Sequence, residues 1–189
     1  MKRVCVYCGS NLGNSDAYAK AAEQLAAVLV SRAIGLVYGG SDKGIMGVLA
    51  NAVLARGGEA IGVIPKALVE KEVAHSGLSR LHVVDSMHAR KALMADLSDG
   101  FIALPGGFGT IEELVEMMTW AQLGFHAKPC GILNVGNYYD SLLAFFDRAH
   151  QEGFVRGAHR RMVVTSTHAD ELLQKMLAYR PEIESKWAD

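Results

Sequence analysis

The segment from Phe101 to Glu113 reads Phe-Ile-Ala-Leu-Pro-Gly-Gly-Phe-Gly-Thr-Ile-Glu-Glu and is the strongest indication of the fold. The four apolar residues at its start predict a buried strand, and the residues from Thr110 onward predict a helix. Between them, three glycines allow the backbone to approach an anion closely, and the free N–H groups of a helix N-terminus favour negative charge. The stretch therefore predicts a phosphate site at a strand-to-helix turn of an α/β protein.

Two glutamates, Glu112 and Glu113, follow in what the pattern predicts to be the first turn of this helix. Carboxylates repel a phosphate, so their presence indicates chemistry beyond phosphate binding. A capping box is the alternative interpretation, with Thr110 as the N-cap and Glu113 bonding back to its N–H. A Glu113→Gln substitution separates the two, because glutamine caps a helix but neither accepts a proton as a base nor stabilises positive charge.

Short β-rich runs alternate with helical patterns along the whole chain. Strands are predicted near 3–8, 34–38, 59–64, 81–84, 100–104, 129–134 and 162–165. Helices are predicted near 15–32, 44–57, 86–98, 110–124, 138–151 and 168–178. The runs at 35–38 and 60–64 carry almost no polar residues, as strands covered on both faces do. The sequence predicts one α/β domain over residues 1–189, a doubly wound and mainly parallel sheet of about seven strands flanked by helices on both faces.

Glycine clusters follow three of the predicted strands, at residues 8–11, 38–41 and 105–109. Ligands of open parallel sheets bind outside the carboxyl ends of the strands, so we expect these loops to meet at one ligand. No cluster has the spacing of a dinucleotide fingerprint or of a triphosphate-binding loop, which disfavours NAD and ATP chemistry. Segment 65–80 has no clear pattern, and loops of that length are often binding or lid elements.

Adjacent cations, Arg90 and Lys91, stand near the start of the helix after the fourth strand. Positive charge there opposes the helix dipole by a few tenths to about 1 kcal/mol, a conflict that a bound anion removes. Arginine offers a planar fork and lysine a point charge, so the pair suits a phosphate and a polar base edge. A solvated surface pair is the alternative. The neighbouring His88 is interpreted as a helix-start or packing residue.

Composition narrows the classes of partner and compartment. The net charge of −1 and pI near 6.7 provide no broad attraction for polymeric nucleic acid or for a membrane surface. The apolar stretch at the N-terminus breaks too early for a signal peptide, and no run reaches the roughly 20 apolar residues of a membrane span. With only three cysteines, a cytoplasmic protein is expected.

Cysteine and histidine spacing gives little support to metal or redox chemistry. Cys5 and Cys8 form a C-x-x-C pair, but they lie along a predicted strand rather than at a helix start, as a redox pair would. Cys130 stands alone, so four cysteines are not available for zinc, and the seven histidines show no ligand spacing. Neither a metal nor an organic cofactor is expected. No serine hydrolase elbow surrounds Ser10.

Five segments taken together carry a resemblance to a known family: Cys8–Ser10, Val37–Gly40, Gly44–Gly47, Met87–Lys91 and Pro105–Glu113. The chain closely resembles the Lonely Guy (LOG) family, which hydrolyses cytokinin riboside 5′-monophosphates and whose bacterial members look like AMP nucleosidases as well. Two loops depart from the commonest pattern, with Asn11 in place of a second serine and Ser41 in place of a third glycine. Both replacements are small and bear on fine substrate preference.

The resemblance implies a Rossmann-like fold with Arg90 and Glu113 as the catalytic pair. It also implies a homodimer with active sites near the interface, which apolar Met117 and Trp120 on the Glu113 helix favour. The implied substrate-binding residues are Gly9, Ser10, Gly39, Gly40, Glu72, Met87, Lys91, Gly106, Gly107, Phe108, Gly109, Thr110, Ile111, Glu112 and Thr119. An old family label, lysine decarboxylase, finds no support in this sequence.

The expected reaction is hydrolysis of the N-glycosidic bond of a nucleoside 5′-monophosphate, releasing free base and ribose 5-phosphate. The expected small-molecule partner is AMP, a cytokinin riboside monophosphate, or both. A carrier module that binds a nucleotide or a nucleotide-like cofactor without turnover is the alternative from another class. Transfer of the ribosyl group to an acceptor other than water is a third interpretation.

Overall fold

The computed structural model describes residues 1–69 and 74–181, and within these ranges seven strands form one sheet. The strands are β1 (Arg3–Tyr7), β2 (Gly35–Tyr38), β3 (Ala60–Pro65), β4 (Arg80–Val84), β5 (Phe101–Ala103), β6 (Cys130–Leu133) and β7 (Val163–Ser166). The helices are α1 (Asp16–Ser31), α2 (Gly44–Ala55), α3 (Lys66–Val69), α4 (Met87–Asp96), α5 (Phe108–Gln122), α6 (Asp140–Gln151), α7 (Gly157–Arg161) and α8 (Ala169–Ala178). A short 3-10 helix covers Val135–Asn137.

All six ladders of the sheet are parallel, and the strand order is β4-β3-β2-β1-β5-β6-β7. The chain builds outward from β1 to β4 and then returns to the other side of β1 with β5. The order therefore reverses between β1 and β5, and the crevice beyond their carboxyl ends is where such sheets bind ligands. The predicted doubly wound, seven-stranded α/β sheet is confirmed.

The core lies on both faces of the sheet, and β1 shows why. Val4 and Val6 pack with helices α1, α2 and α8 on one face, while Cys5 and Tyr7 pack with α4, α5 and α6 on the other. Successive side chains of a strand point to opposite faces, so a central strand covered on both sides has no polar position. This explains the apolar run that follows Arg3 in β1 and the runs in β2 and β3.

The predicted helices and strands lie close to the observed ones, with differences at short elements and at one helix start. The sequence pattern missed α3, α7 and the 3-10 helix, because three to five residues are too few to show a helical period. Helix α5 begins at Phe108, two residues before the predicted start, so Glu112 and Glu113 lie in its second turn rather than its first.

Segment 65–80, which showed no pattern, begins with the end of β3 and the short α3, and residues 70–73 lie outside the described part. After them, Ala74 forms an antiparallel bridge with Ser41, and the N–H of His75 donates to the carbonyl of Gly40 at 3.1 Å. The His75 ring also contacts Asn51 at 2.9 Å. The segment thus packs against the loop that follows β2. Among the described helices, none has the length and apolar character needed to cross a membrane.

Candidate active site

The loops after β1 and β5 join directly at the crevice of the sheet. The N–H of Gly9 donates to the carbonyl of Pro105 at 3.1 Å, and the Gly9 carbonyl accepts from Ile45 at the start of α2 at 3.0 Å. Gly44, which precedes Ile45, has φ +57, and a Cβ on it would lie 2.3 Å from the Ser10 carbonyl carbon. Glycine is therefore required for α2 to approach the first loop this closely.

The N-terminus of α5 presents backbone rather than side chains. Its N-cap is Gly107, which has no side chain to cap the helix, and Thr110 is a buried residue of the first turn. A Cβ on Gly106 would lie 2.1 Å from the Thr110 Oγ1, so glycine is needed for the tight turn. The capping-box interpretation is wrong, because Thr110 is not the N-cap. The first N–H groups of α5 have no side-chain cap and suit an anion.

A cavity of about 500 Å³ opens above the joined loops, a size typical of small-molecule sites. Its lining from the predicted set is Gly9, Ser10, Met87, Arg90, Gly106, Gly107, Phe108, Gly109, Thr110, Glu112 and Glu113. It is also lined by Cys8, Asn11, Leu12, Gly13, Tyr18, Ile45, Met46, Leu68, Pro105 and Tyr138. Both predicted catalytic residues and the glycine turn therefore face one cavity.

Arg90 is 7% exposed, so the solvated-pair interpretation is wrong for this residue. It lies on α4, which begins after the N-cap Ser86, whose Oγ accepts from the N–H of Ala89 at 3.1 Å. The Arg90 Nε donates to the carbonyl of Val63 at 3.1 Å, and its Nη2 donates to the carbonyl of Gly39 at 3.0 Å. Backbone carbonyls satisfy one edge of the guanidinium, while the side chain lines the cavity.

Glu113 lies on α5 and is half-buried. Burial raises the pKa of its carboxyl group to about 7, and the neighbouring charge of Arg90 opposes this rise. Glu112 and Glu116 raise the pKa further, while Lys91 lowers it. A carboxyl group with a pKa near neutrality changes protonation state in the range where an acid–base catalyst operates.

Lys91 is 6% exposed and is not among the residues that line the cavity. Its Nζ contacts Glu112 Oε1, and it lies 3.1 Å from Glu116 Oε2. Burial lowers the pKa of Lys91, but its contacts with the two carboxylates outweigh burial and leave the pKa above its ordinary value. The solvated-pair interpretation is therefore wrong for Lys91 as well. A lysine held as an ammonium ion also does not suit the Schiff-base chemistry of a pyridoxal enzyme.

Five other predicted site residues lie away from the cavity lining or outside the described residues. The Gly39 carbonyl accepts from Arg90, and the Gly40 carbonyl accepts from the N–H of His75. Ile111 packs partly against the core, and the exposed Thr119 donates to the carbonyl of Val115 at 2.8 Å. Glu72 lies outside the described residues. Roles for these five in binding substrate remain predictions from the family resemblance.

Sequence reasoning missed several residues that shape the site. The Tyr138 hydroxyl donates to the carbonyl of Gly106 at 2.7 Å, and the buried Tyr139 hydroxyl donates to that of Leu104 at 2.7 Å. Leu68, from the short α3, lines the cavity. Glu116 stands one turn after Glu112, and this i, i+4 spacing in a predicted helix was the available signal.

The remaining apolar and thiol residues have structural positions. Met117 is fully buried in the core, so it is not available for a dimer contact, whereas Trp120 is partly buried. The three cysteines are free and buried. Burial raises the pKa of both Cys5 and Cys8, which disfavours the thiolates that redox chemistry requires.

Comparisons with known proteins agree on a family. Residues 46–176 match the family model described as "Possible lysine decarboxylase". The chain is 53% identical to the "Probable cytokinin riboside 5'-monophosphate phosphoribohydrolase LOGL1" of Oryza sativa subsp. japonica, over 94% of this chain and 79% of that protein. It is 51% identical to the cytokinin riboside 5'-monophosphate phosphoribohydrolase LOG1 of Arabidopsis thaliana, over 97% of this chain and 86% of that protein.

Solved structures show the fold. The molybdenum cofactor binding protein of Rippkaea orientalis superposes with a TM-score of 0.70 at 18% identity, covering 94% of this chain and 97% of that chain. The molybdenum cofactor carrier protein of Chlamydomonas reinhardtii gives 0.71 at 18% identity, with 94% and 98% coverage. A sequence identity of 18% with these two proteins shows a shared fold and no more. Because the identity to the rice and Arabidopsis proteins extends over nearly the whole sequence, this chain belongs to the LOG family of cytokinin riboside 5′-monophosphate phosphoribohydrolases.

Proposed function

We propose that this protein hydrolyses the N-glycosidic bond of nucleoside 5′-monophosphates, with cytokinin riboside monophosphates, AMP or both as substrates. One observation carries the proposal: a half-buried carboxyl group, Glu113, and a buried guanidinium, Arg90, face the cavity that also contains the uncapped N-terminus of α5. Each of the three groups suits a different part of such a substrate: the sugar, the base or the phosphate. The names of the LOG relatives support the same reaction.

The reaction breaks the bond between ribose C1′ and the base nitrogen. The base leaves with the electron pair and takes up a proton, the oxygen of water bonds to C1′, and water loses a proton. Such cleavages pass through a transition state with positive charge on the sugar. We assign Glu113 to stabilise that charge and to accept the proton of water, a role that its pKa of about 7 suits.

Arg90 holds the other side of the reacting bond. Its guanidinium stays charged, so it makes a poor proton donor but a strong hydrogen-bond donor to charge that develops on the departing base. The bonds to Val63 and Gly39 fix its position before substrate arrives. Fixed dipoles and charges of this kind lower the barrier without reorganising during the reaction.

The glycine turn is assigned to the 5′-phosphate. The N–H groups at the start of α5 have no side-chain cap, and the helix dipole favours an anion at this end of the helix. Binding energy from the phosphate, which does not react, holds the ribose in position for attack by water. No metal or organic cofactor enters this scheme.

The single domain, the homodimer and the cytoplasmic location belong to the same proposal. One sheet with two layers of helices supports a single domain over the described residues. The family resemblance supports a dimer, although the buried Met117 takes no part in it, and sedimentation velocity tests the assembly. Free cysteines are consistent with a reducing compartment.

The experiment that tests the function measures products. Purified protein is incubated separately with AMP and with N6-isopentenyladenosine monophosphate, and chromatography resolves free base and ribose 5-phosphate. We expect the wild type to release both products in equal amounts. For Glu113→Gln we expect kcat/KM to fall at least about a hundred-fold. Glu23→Gln, on the exposed face of α1, is the matched control and should keep full activity.

The carrier alternative is the weaker one, since the cofactor carriers share only the fold with this chain. Tight nucleotide binding with no release of base from either substrate would contradict the hydrolase. Release of base without free ribose 5-phosphate would instead indicate transfer to another acceptor.

A further inference from the structure

Lys91 stands next to Arg90 on α4, yet its surroundings are those of a structural ion pair. Its side chain is 8% exposed, and two carboxylates on α5, Glu112 and Glu116, contact its ammonium group. Glu112 and Glu116 are four residues apart, so they lie on one face of α5 and their charges repel. The ammonium between them removes that repulsion and ties α4 to α5.

The two helices joined in this way carry the proposed catalytic pair. Arg90 precedes Lys91 on α4, and Glu113 lies between Glu112 and Glu116 on α5. Any movement of α5 away from Lys91 therefore also moves Glu113 relative to Arg90. We propose that Lys91 is a positioning residue that fixes Glu113 opposite Arg90 by bridging Glu112 and Glu116, and that it does not bind the substrate phosphate. The inference rests on the proposed roles of Arg90 and Glu113.

The charges around Lys91 argue against a contact with phosphate. Glu116 Oε2 is buried and has the Lys91 ammonium 3.1 Å away as its counter-charge. If Lys91 turned to a phosphate, it would leave that carboxylate buried without a cation, which is strongly unfavourable. Arg90 and Glu112 line the cavity, whereas Lys91 does not. The N-terminus of α5 is available to the phosphate without any such rearrangement.

The same cluster acts on Glu113 through its charges. The ionisable groups that influence it come from three elements: Cys5, Tyr7 and Cys8 on or just after β1, Arg90 and Lys91 on α4, and Glu112 and Glu116 on α5. Lys91 lowers the pKa of Glu113, while Glu116 raises it. Removing one or the other should therefore move the acid side of the pH–activity profile in opposite directions.

The test compares kcat and KM for Lys91→Met, Glu116→Gln and the double variant, from about pH 5.5 to about pH 9, with AMP and N6-isopentenyladenosine monophosphate. For Lys91→Met we expect the acid limb of the kcat/KM profile to move to a pH higher by about half to one unit, which lowers kcat/KM roughly three- to ten-fold at pH values below the limb. KM should change less than about three-fold. Glu116→Gln should move the limb down, and the double variant should return towards wild type.

Two control variants show whether the shift of the pH profile depends on the charge at position 91. Lys175→Met removes an exposed lysine that pairs with Glu171 on α8, so it should leave the profile unchanged. Lys91→Arg keeps the charge and should hold the limb at the wild-type position. If Lys91→Met does not fold, Glu116→Gln and Lys91→Arg still decide the matter, because an unmoved limb in Glu116→Gln overturns the inference.

Two outcomes separate this inference from the proposed function. A roughly ten-fold higher KM for Lys91→Met, with no movement of the limb, would assign Lys91 to the substrate and leave the hydrolase intact. No base release by wild type would contradict the hydrolase itself. In that case the pKa of Glu113 is measured from the pH dependence of unfolding with and without Glu113→Gln, and an equal value in wild type and Lys91→Met overturns the inference.

Discussion

The Nη2 of Arg90 donates to the carbonyl oxygen of Gly39 at 3.0 Å, and the space beside this carbonyl is filled by the guanidinium. A Cβ on Gly39 would lie 2.2 Å from that Nη2 and 2.9 Å from the Met46 sulfur. Gly39 comes directly after β2, so the end of this strand fixes the position of the Arg90 guanidinium. Gly39 is needed because a side chain there would occupy the space of the Arg90 guanidinium. This requirement does not depend on a contact between Gly39 and the substrate.

Gly39→Ala should therefore damage activity through Arg90. We expect the added methyl group to displace the guanidinium, to lower the free energy of unfolding by about 1–3 kcal/mol and to reduce kcat at least ten-fold. Urea unfolding and initial rates of base release measure the two effects. Unchanged kcat in a folded variant would show that Arg90 tolerates another position.

Activity should rise with pH through the neutral range. In the proposed mechanism Glu113 acts as a carboxylate, and burial raises its pKa to about 7, so protonation below that pH removes the acting form. We expect kcat/KM to fall about ten-fold for each pH unit below the limb. Initial rates in buffers of constant ionic strength give the profile. A profile that is flat down to about pH 5 would mean that another group carries the role.

The same carboxyl group should cost stability at alkaline pH. Its pKa is raised on folding, from 4.5 to about 7, so the folded protein favours the protonated form, and stability is lost as pH rises between those values. Glu113→Gln should raise the free energy of unfolding by about 1–3 kcal/mol at pH 8 relative to its effect at pH 4. Urea unfolding at both pH values measures the difference, and a pH-independent effect would contradict the buried carboxylate.

Two neighbouring glycines should respond differently to alanine. A Cβ on Gly106 would meet Thr110 Oγ1 at 2.1 Å and the Gly9 nitrogen at 2.8 Å, so Gly106→Ala should destabilise the fold by about 1–3 kcal/mol. Gly107 has no atom within 4 Å of such a Cβ, so Gly107→Ala should change stability by less than about 0.5 kcal/mol.

Gly107→Ala should also weaken the binding of the 5′-phosphate. If the 5′-phosphate lies against the Gly107 backbone, the methyl group blocks its approach, and Gly107→Ala should raise KM at least ten-fold. Isothermal titration with ribose 5-phosphate reports the same loss without turnover. Wild-type affinity in Gly107→Ala would place the phosphate elsewhere in the cavity.

Tyr138 should matter for binding more than for stability. Its hydroxyl donates to the Gly106 carbonyl, while 44% of the residue remains exposed. Tyr138→Phe should raise KM about three- to ten-fold and lower the free energy of unfolding by less than about 1 kcal/mol. Tyr139→Phe is the comparison: it leaves the carbonyl of Leu104 buried without its donor and should lower stability by about 1–2 kcal/mol.

How far the sequence predicts this fold is clear from the elements themselves. The strands were predictable because β1, β2 and β3 carry apolar side chains on both faces. The start of α5 was not, because Gly107 and Gly109 flank Phe108, and glycine is a poor helix former. Short helices such as α3 have too few residues for a period to show.

The lining of the candidate site was predictable where residue type and loop position agree, as in the glycine turn before Glu113. It was less so for the two cations. Arg90 and Lys91 are adjacent in sequence, yet one faces the cavity and the other faces Glu112 and Glu116, because successive helical residues point about 100° apart. Gly39 and Gly40 likewise have the composition of a ligand loop, and only the packing of Arg90 against Gly39 shows why a residue without a side chain is needed there.

The strand order also has a consequence for synthesis on the ribosome. β1 is among the first parts of the chain to emerge, but one of its two edges pairs with β5, which is made about a hundred residues later. Until then, a central strand whose residues Val4 to Tyr7 are buried in the finished fold presents open N–H and C=O groups, the arrangement that other chains add to most readily. A fragment ending before Phe101 should therefore aggregate, and the crevice beyond the ends of β1 and β5 forms only when these two strands pair.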